Sequence, residues 1–174
     1  MPQHDAFLHP KLSLDTQDRY IARSSILRAL TSQLPHFHGT FLDIGCGVQP
    51  YRPLITAGPS RVERYLGMDL EGNPTSGYLR VRPDLFWDGL HMPLEDASVD
   101  SAMATEVLEH CPEPAVLLSE ACRVLRPGGL LLLTVPFLWP LHDVLHDDDR
   151  YTSFALERVL KGAGFGEVVL TPLW

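Results

Sequence analysis

One short stretch constrains the fold of this chain more than any other, because it joins an apolar run to a glycine turn. It reads Phe-Leu-Asp-Ile-Gly-Cys-Gly-Val-Gln-Pro-Tyr over residues 41–51. The apolar run predicts a buried parallel strand, and the glycines at 45 and 47 predict a turn into a helix whose backbone can approach a ligand closely. A purely structural turn is the alternative, since glycine turns commonly follow strands.

The rest of the chain alternates between strand and helix patterns. Strands are predicted over residues 40–44, 64–69, 78–81, 99–105, 130–135 and 166–171. Helices are predicted over residues 15–34, 51–57, 112–125 and 152–163. This alternation predicts an α/β fold, with a doubly wound, mainly parallel sheet of about six strands flanked by helices.

Composition excludes several classes of function. The net charge of -8 argues against nucleic-acid binding through phosphates and against an anionic membrane surface. The three cysteines, at 46, 111 and 122, do not have zinc-site spacing and indicate reduced thiols in a cytoplasmic protein. The first residues lack the apolar core of a signal sequence, and the longest apolar stretch, 129–141, is interrupted by prolines and too short for membrane insertion.

Acidic residues follow four of the predicted strands or lie at their ends: Asp43, Asp69, Asp88 and Glu106. The carboxyl ends of parallel strands meet at one edge of the sheet, which is where open α/β sheets bind ligands. Asp69 is placed to accept both hydroxyls of a ribose, although a solvated acid at a strand end is the alternative.

The turn does not suit a dinucleotide. A dinucleotide site needs a third glycine where this chain has Pro50, and Asp43 would repel a pyrophosphate. These two residues therefore argue against an NAD-dependent oxidoreductase. An acidic residue beside the turn suits a ligand that carries positive charge, such as S-adenosylmethionine with its ammonium and sulfonium groups.

Over residues 40–170 the chain resembles the class I S-adenosylmethionine-dependent methyltransferases. The resemblance is carried by Leu-Asp-Ile-Gly-Cys-Gly at 42–47, Gly-Met-Asp at 67–69, Met-Pro-Leu-Glu-Asp-Ala-Ser-Val-Asp at 92–100, Val-Leu-Glu-His at 107–110 and Glu-Ala-Cys-Arg-Val-Leu-Arg-Pro-Gly-Gly at 120–129. It implies a Rossmann-like methyltransferase fold, with S-adenosylmethionine as cofactor and S-adenosylhomocysteine as product. Residues 1–174 then form a single methyltransferase-like domain. Residues 1–38 are its N-terminal arm and cover helix, a helix that alternatively packs on the sheet, and residues 39–174 are its cofactor-binding core.

The resemblance also implies roles for individual residues. Gly45 and Gly47 line the methionine portion of the cofactor, and Asp69 takes the ribose. Asp88 contacts the adenine amino group with the Gly89 backbone alongside, and Glu106 lies near the sulfonium and the substrate. The full cofactor-binding set is Asp43, Gly45, Cys46, Gly47, Asp69, Leu70, Asp88, Gly89 and Glu106.

The chain departs from the family's pattern at two places. Gln49 stands where many members have a third glycine, which is expected to narrow the methionine pocket. The segment between Asp69 and Asp88 is irregular, so the position of Asp88 depends on how that segment folds.

Three residues are candidates for a catalytic role: Glu106, His142 and His146. Direct methyl displacement needs mainly alignment, and a base only if the nucleophile must lose a proton. The two histidines, four residues apart beside several carboxylates, could also bind a metal. The Asp-Asp-Asp run at 147–149 is more typical of a solvated turn, and we expect no metal.

The predicted sheet leaves an edge to be covered. The family's sheet usually ends with an antiparallel strand between the fifth and sixth, and here the last predicted strand is 166–171. Either the chain is a truncated form or the sheet ends at six strands, and a homodimer would cover the open edge. The expected function is methyl transfer to an unidentified small, lipid- or sugar-linked acceptor. The alternative is a non-catalytic methyltransferase-like binding module or subunit.

Overall fold

A computed structural model describes residues 5–14, 16–71, 81–137 and 149–173. Within these ranges the helices are α1 (Asp5–Leu8), α2 (Gln17–Gln33), α3 (Arg52–Ile55), α4 (Pro114–Val124) and α5 (Ser153–Gly162). The strands are β1 (His38–Ile44), β2 (Arg61–Leu70), β3 (Leu85–Trp87), β4 (Val99–Thr105) and β5 (Leu125–Thr134). Short 3-10 turns occupy Leu34–His36 and Leu108–His110. None of the helices in these ranges has the length and apolar character needed to cross a bilayer.

The strands form one sheet in the order β3-β2-β1-β4-β5, and every neighbouring pair is parallel. The chain moves outward from β1 to β3 on one side and from β4 to β5 on the other, so the strand order reverses between β1 and β4. At the carboxyl end of β1, Ile44 pairs with Met68 of β2 and with Ala104 of β4. This topology confirms the doubly wound α/β fold and brings the ends of β1, β2 and β4 to one edge.

Both faces of the sheet are buried, which explains the nearly continuous apolar runs of its strands. Phe41 and Leu42 of β1 lie in opposite cores, as successive residues of a strand do. The core on one face includes Leu42, Ile44, Met68, Ala102, Ala104, Leu117, Leu118, Leu156 and Leu160, the last four from α4 and α5. The core on the other face includes Ile26, Leu30, Leu34, Phe41, Ile55, Tyr65 and Met103, the first two from α2.

α1 lies on the same face of the sheet as α2. The predicted helix over 15–34 corresponds to α2, which buries Ile26 and Leu30 in that core, whereas Ile21 is 48% exposed. α2 therefore packs on the sheet. Ahead of it, the Phe7 ring of α1 meets the Tyr51 ring edge-on, with 5.8 Å between the ring centroids.

Two predicted strands differ from the structure. Of the strand expected over 78–81, residues 78–80 lie outside the described ranges, and Val81 is not in a strand; β3 instead spans Leu85–Trp87, directly before Asp88.

The strand predicted over 166–171 is wrong, because these residues pair with no strand in the described part of the chain. Val168 packs against the α4 and α5 core, whereas Leu173 packs against the α2 core on the opposite face. Val169, between them, is 78% exposed, so the segment is not buried as a strand of this sheet would be. The sheet has five strands in the described residues, rather than six.

Candidate functional site

The glycine turn follows β1, and its two glycines are needed for different reasons. Both have positive φ, 68° at Gly45 and 50° at Gly47, which residues with a Cβ rarely adopt. A Cβ on Gly45 would lie 2.6 Å from Cγ2 of Val107, so the close approach of the loop after β4 also requires glycine. Among the described residues, no atom lies within 4 Å of a Cβ built on Gly47. That side of the turn is open to a ligand.

Gln49 takes a glycine-like backbone conformation with φ 54°, although it carries a long side chain. The side chain is buried and turns towards β2, where a Cβ on Gly67 would lie 2.8 Å from Gln49 Nε2. Nε2 donates to the Arg82 carbonyl at 3.2 Å, and Oε1 accepts from Arg52 Nη1 at 2.7 Å. The glycine at 67 therefore provides the space that Gln49 fills.

Asp69 connects the end of β2 to the glycine turn. Its carboxylate is 5% exposed, and its Oδ2 accepts the Gly47 N–H at 2.8 Å. Its Oδ1 accepts the N–H of Leu70 at 2.8 Å, and the Leu70 side chain is 38% exposed at the sheet edge. Cys46 is buried beside them, and its N–H donates to the Met68 carbonyl at 3.0 Å. The turn and the end of β2 thus form one surface.

Asp43 is a second buried carboxyl at the turn. It accepts a short hydrogen bond from the Tyr65 hydroxyl, and it is 2% exposed. Burial raises the pKa of Asp43 from 3.8 to about 7; the Tyr65 hydrogen bond opposes this shift, and the charge of Asp69 adds to it. The Arg52 guanidinium lies 4.9 Å from the centre of the Tyr65 ring. A cation bound next to Asp43 would favour its charged form.

Asp88 and Gly89 follow β3 at the same edge of the sheet. Trp87, which directly precedes them, pairs with Leu70 of β2. Asp88 is exposed, and its Oδ1 accepts the N–H groups of Leu90 and His91, each at 2.8 Å. These two hydrogen bonds lower the pKa of Asp88. Gly89 has φ 87°, and a Cβ there would lie 3.4 Å from Leu70 Cδ2.

Glu106 is the first residue after β4, and it too has an unusual positive φ, 54°. Its N–H is directed at the end of β5, 3.1 Å from the Thr134 carbonyl and 3.2 Å from Thr134 Oγ1. The Thr134 hydroxyl donates to Glu106 Oε1 at 2.8 Å. The pKa of Tyr51 is raised to about 12, mainly by burial. The positive charge of Arg23 opposes this rise, and the charges of Glu106 and Asp43 add to it. Tyr51 therefore lies within electrostatic reach of both carboxyls.

The structure groups most of the residues predicted for the site. Those at the turn and at the ends of β2 and β4 are Asp43, Gly45, Cys46, Gly47, Asp69, Leu70 and Glu106. Asp88 and Gly89 adjoin them through β3. The candidates His142 and His146, and the metal site considered there, lie outside the described residues.

Three residues at this edge were missed by reasoning from sequence: Tyr51, Tyr65 and Thr134. Tyr65 and Thr134 donate hydrogen bonds to predicted acids, and two predicted acids contribute to the raised pKa of Tyr51. The only signal for Thr134 in the sequence is that it is the polar residue that ends the apolar run of β5, and nothing in the spacing marks Tyr65 as the partner of Asp43.

Comparison with known proteins gives consistent findings. A family model described as a methyltransferase domain matches residues 42–133. A probable S-adenosylmethionine-dependent methyltransferase of Mycolicibacterium smegmatis is 37% identical over 99 residues, which are 55% of this chain and 37% of that protein. An uncharacterized 37.1 kDa protein in transposon TN4556 of Streptomyces fradiae is 36% identical over 135 residues, 72% of this chain and 39% of that protein. The chain thus spans well under half the length of these relatives.

Solved structures agree on the fold. An S-adenosylmethionine-dependent methyltransferase from Thermotoga maritima superposes with a TM-score of 0.64 and 19% sequence identity. The match covers 87% of this chain and 75% of that one. Because the sequence identity is only 19%, this similarity is evidence for the fold alone.

Proposed function

This chain belongs to the methyltransferase-domain family, and from that membership we propose that it binds S-adenosylmethionine and transfers the methyl group to an acceptor. The observation that carries the proposal is the pair of buried carboxyls, Asp43 and Asp69, at the open glycine turn. Carboxylates repel a pyrophosphate, whereas they attract the cationic groups of S-adenosylmethionine and accept hydrogen bonds from its ribose hydroxyls.

Asp69 and Asp88 bind the nucleoside part in this proposal. Asp69 accepts the ribose hydroxyls, because it ends β2 beside the open side of Gly47. Asp88 and the Gly89 backbone lie at the adenine end, where Leu70 provides an apolar contact. The hydrogen bonds from the turn after β3 to Asp88 Oδ1 support this role, because they fix the orientation of the carboxylate.

Asp43 and Glu106 bind the methionine part, together with the backbone of Gly45, Cys46 and Gly47. Both acids contribute to the raised pKa of Tyr51, which supports placing them near one another. The charge of Glu106, and that of Asp43 once a bound cation favours its ionised form, favour an ammonium and a sulfonium over a neutral or anionic ligand.

The bound cofactor supplies an electrophilic methyl group on a sulfonium. The residues of the chain align the acceptor and exclude water, so that the acceptor's lone pair forms the bond to carbon as the carbon–sulfur bond breaks. Glu106 takes up the proton where the nucleophile must lose one. His142 and His146, outside the described residues, are further candidates for that base.

The acceptor in this proposal is a small molecule, or one linked to a lipid or a sugar. Two exposed aromatic side chains support it. Phe137, three residues beyond β5, is 55% exposed, and Phe154 at the start of α5 is 80% exposed. Such rings offer contact area to hydrocarbon or to the apolar face of a sugar. In the same proposal the residues ahead of α2 act as an arm over the turn, which the contact of Phe7 with Tyr51 supports, whereas α2 packs on the sheet.

We propose in addition that a second copy of the chain covers the outer edge of β5. In the described residues that edge pairs with no other strand, and Leu130–Leu133 are only partly buried. A two-fold axis would pair β5 with β5 of the partner using the same surface twice. Analytical ultracentrifugation at micromolar concentration tests this: a dimer is expected, and a monomer at all concentrations contradicts it.

The experiment for the activity is formation of S-adenosylhomocysteine from S-adenosylmethionine, measured with a panel of small, lipid-linked and sugar-linked acceptors. We expect turnover with at least one acceptor, and its loss in Asp69→Asn. Glu63→Gln is the matched control, because Glu63 is an exposed carboxylate on the same strand near its other end. Turnover that survives Asp69→Asn contradicts the proposed site. Binding without turnover on any acceptor favours the alternative, a non-catalytic binding module.

A further inference from the structure

Glu106 is held in a backbone conformation that its side chain does not favour. Its φ of 54° lies in the left-handed region, and non-glycine residues there are usually kept in place by surrounding contacts. Here the contact is with the end of β5, since the Glu106 N–H lies within hydrogen-bond distance of both the carbonyl and the hydroxyl of Thr134. This backbone conformation directs Glu106 out of the β4 ladder at the sheet edge.

Thr134 also fixes the Glu106 side chain. A hydroxyl has one proton to donate and can accept as well. The Thr134 hydroxyl donates its proton to Glu106 Oε1 at 2.8 Å, and its oxygen accepts from the Glu106 N–H at 3.2 Å. Thr134 is 6% exposed, and its neighbour across the ladder is Thr105, so the β4–β5 register sets the position of the hydroxyl. One side chain therefore orients both the backbone and the carboxylate of Glu106.

The loop that carries Glu106 packs against the glycine turn. Val107, the next residue, approaches Gly45 so closely that a Cβ on Gly45 would lie 2.6 Å from its Cγ2. The charges of Glu106 and Asp43 both contribute to the raised pKa of Tyr51, which lies just beyond the turn. A change in the orientation of Glu106 would therefore change the negative potential at the turn.

We propose that Thr134 is a positioning residue, which holds the Glu106 carboxylate in the orientation that binds the cationic end of the cofactor. The proposal rests on the function proposed above. Thr134 acts through Glu106 and has no contact with the cofactor in this account. The effect comes from the hydroxyl group and not from the volume of the side chain.

The test is calorimetric titration with S-adenosylhomocysteine, which requires no acceptor. Its amino group retains the positive charge that Glu106 and Asp43 face. Thr134→Val keeps the shape of the side chain and removes the hydroxyl, whereas Thr134→Ser keeps the hydroxyl. We expect Thr134→Val to raise Kd by up to about tenfold, because binding must then order a Glu106 carboxylate that the hydroxyl no longer holds in place. Thr134→Ser should stay within about twofold of the wild type, and thermal unfolding confirms that both variants are folded.

A double-mutant cycle shows whether Thr134 acts through Glu106. Thr134→Val added to Glu106→Ala should cause no further loss of affinity. An unchanged Kd for Thr134→Val, equal losses in the Val and Ser variants, or a full additional loss in the Glu106→Ala background would each overturn the inference. The absence of binding by the wild type would instead refute the proposed function, and this inference with it.

Discussion

Asp43 offers a direct test of the electrostatics of the site, because its carboxyl is buried and its pKa is raised. Burial raises its pKa from 3.8 to about 7. The hydrogen bond from Tyr65 opposes this rise, and the charge of Asp69 adds to it. In the unfolded chain the same carboxyl loses its proton near its ordinary pKa. Between about pH 4 and pH 7 the folded state therefore binds more protons than the unfolded state, and the contribution of Asp43 to stability falls as the pH rises.

The variant Asp43→Asn removes this contribution and keeps an acceptor for the Tyr65 hydroxyl. A shift of about three pKa units corresponds to about 4 kcal/mol in total, of which about 3 kcal/mol develops between pH 5 and pH 8. We expect the free energy of unfolding of Asp43→Asn, relative to the wild type, to increase by that amount over this range. Urea unfolding followed by tryptophan fluorescence measures both proteins at each pH.

Taking the difference between the two proteins cancels the contributions of the other titratable groups. Tyr65→Phe provides a second check, because it deletes the hydrogen bond that lowers the pKa of Asp43. The difference in the free energy of unfolding between Tyr65→Phe and the Asp43→Asn/Tyr65→Phe double variant should continue to change above pH 7. The reasoning is refuted if the free energy of unfolding of Asp43→Asn, relative to that of the wild type, stays constant or decreases from pH 5 to pH 8.

Other variants test how the turn and the loops at its edge are held. Gly45→Ala should lower the free energy of unfolding by about 3 kcal/mol, because it combines positive φ with a clash against Val107, whereas Gly47→Ala should cost about 1 kcal/mol for φ alone. Equal losses in urea unfolding would contradict the assignment of the clash. Arg123→Ala should lower stability by about 2 kcal/mol, because Arg123 binds the Glu120 carboxylate and two main-chain carbonyls, at 2.7 to 3.0 Å. A loss below about 0.5 kcal/mol, the range of ordinary surface substitutions, would show that this network contributes little.

The predictable part of the fold is the part whose signal is local. The central strands could be placed because parallel strands buried on both faces have long apolar runs, and the turn because Gly45 and Gly47 follow such a run. The strand before Asp88 was placed too early, since β3 has only three residues, Leu85–Trp87, and follows an irregular segment. An apolar segment alone did not make a strand of 166–171, because it pairs with no strand in the described residues and Val169 within it is 78% exposed.

The contacts that orient the acids could not be predicted. Tyr65 reaches Asp43 across 22 positions of sequence, and Thr134 reaches Glu106 across 28. Both pairs depend on the register between neighbouring strands, which the order of residues within one strand does not determine. The candidate acids themselves could be chosen from sequence because they stand where strands end.

The central claim is that the acid-lined turn binds the cofactor through Asp69. Calorimetric titration of the wild type, Asp69→Asn and Glu63→Gln with S-adenosylhomocysteine at neutral pH tests it most directly, with NAD as a competing ligand. We expect one site, equal affinity in the wild type and Glu63→Gln, at least tenfold weaker binding in Asp69→Asn, and no heat from NAD. Unchanged affinity in Asp69→Asn, or no binding of S-adenosylhomocysteine by the folded wild type, would contradict the account.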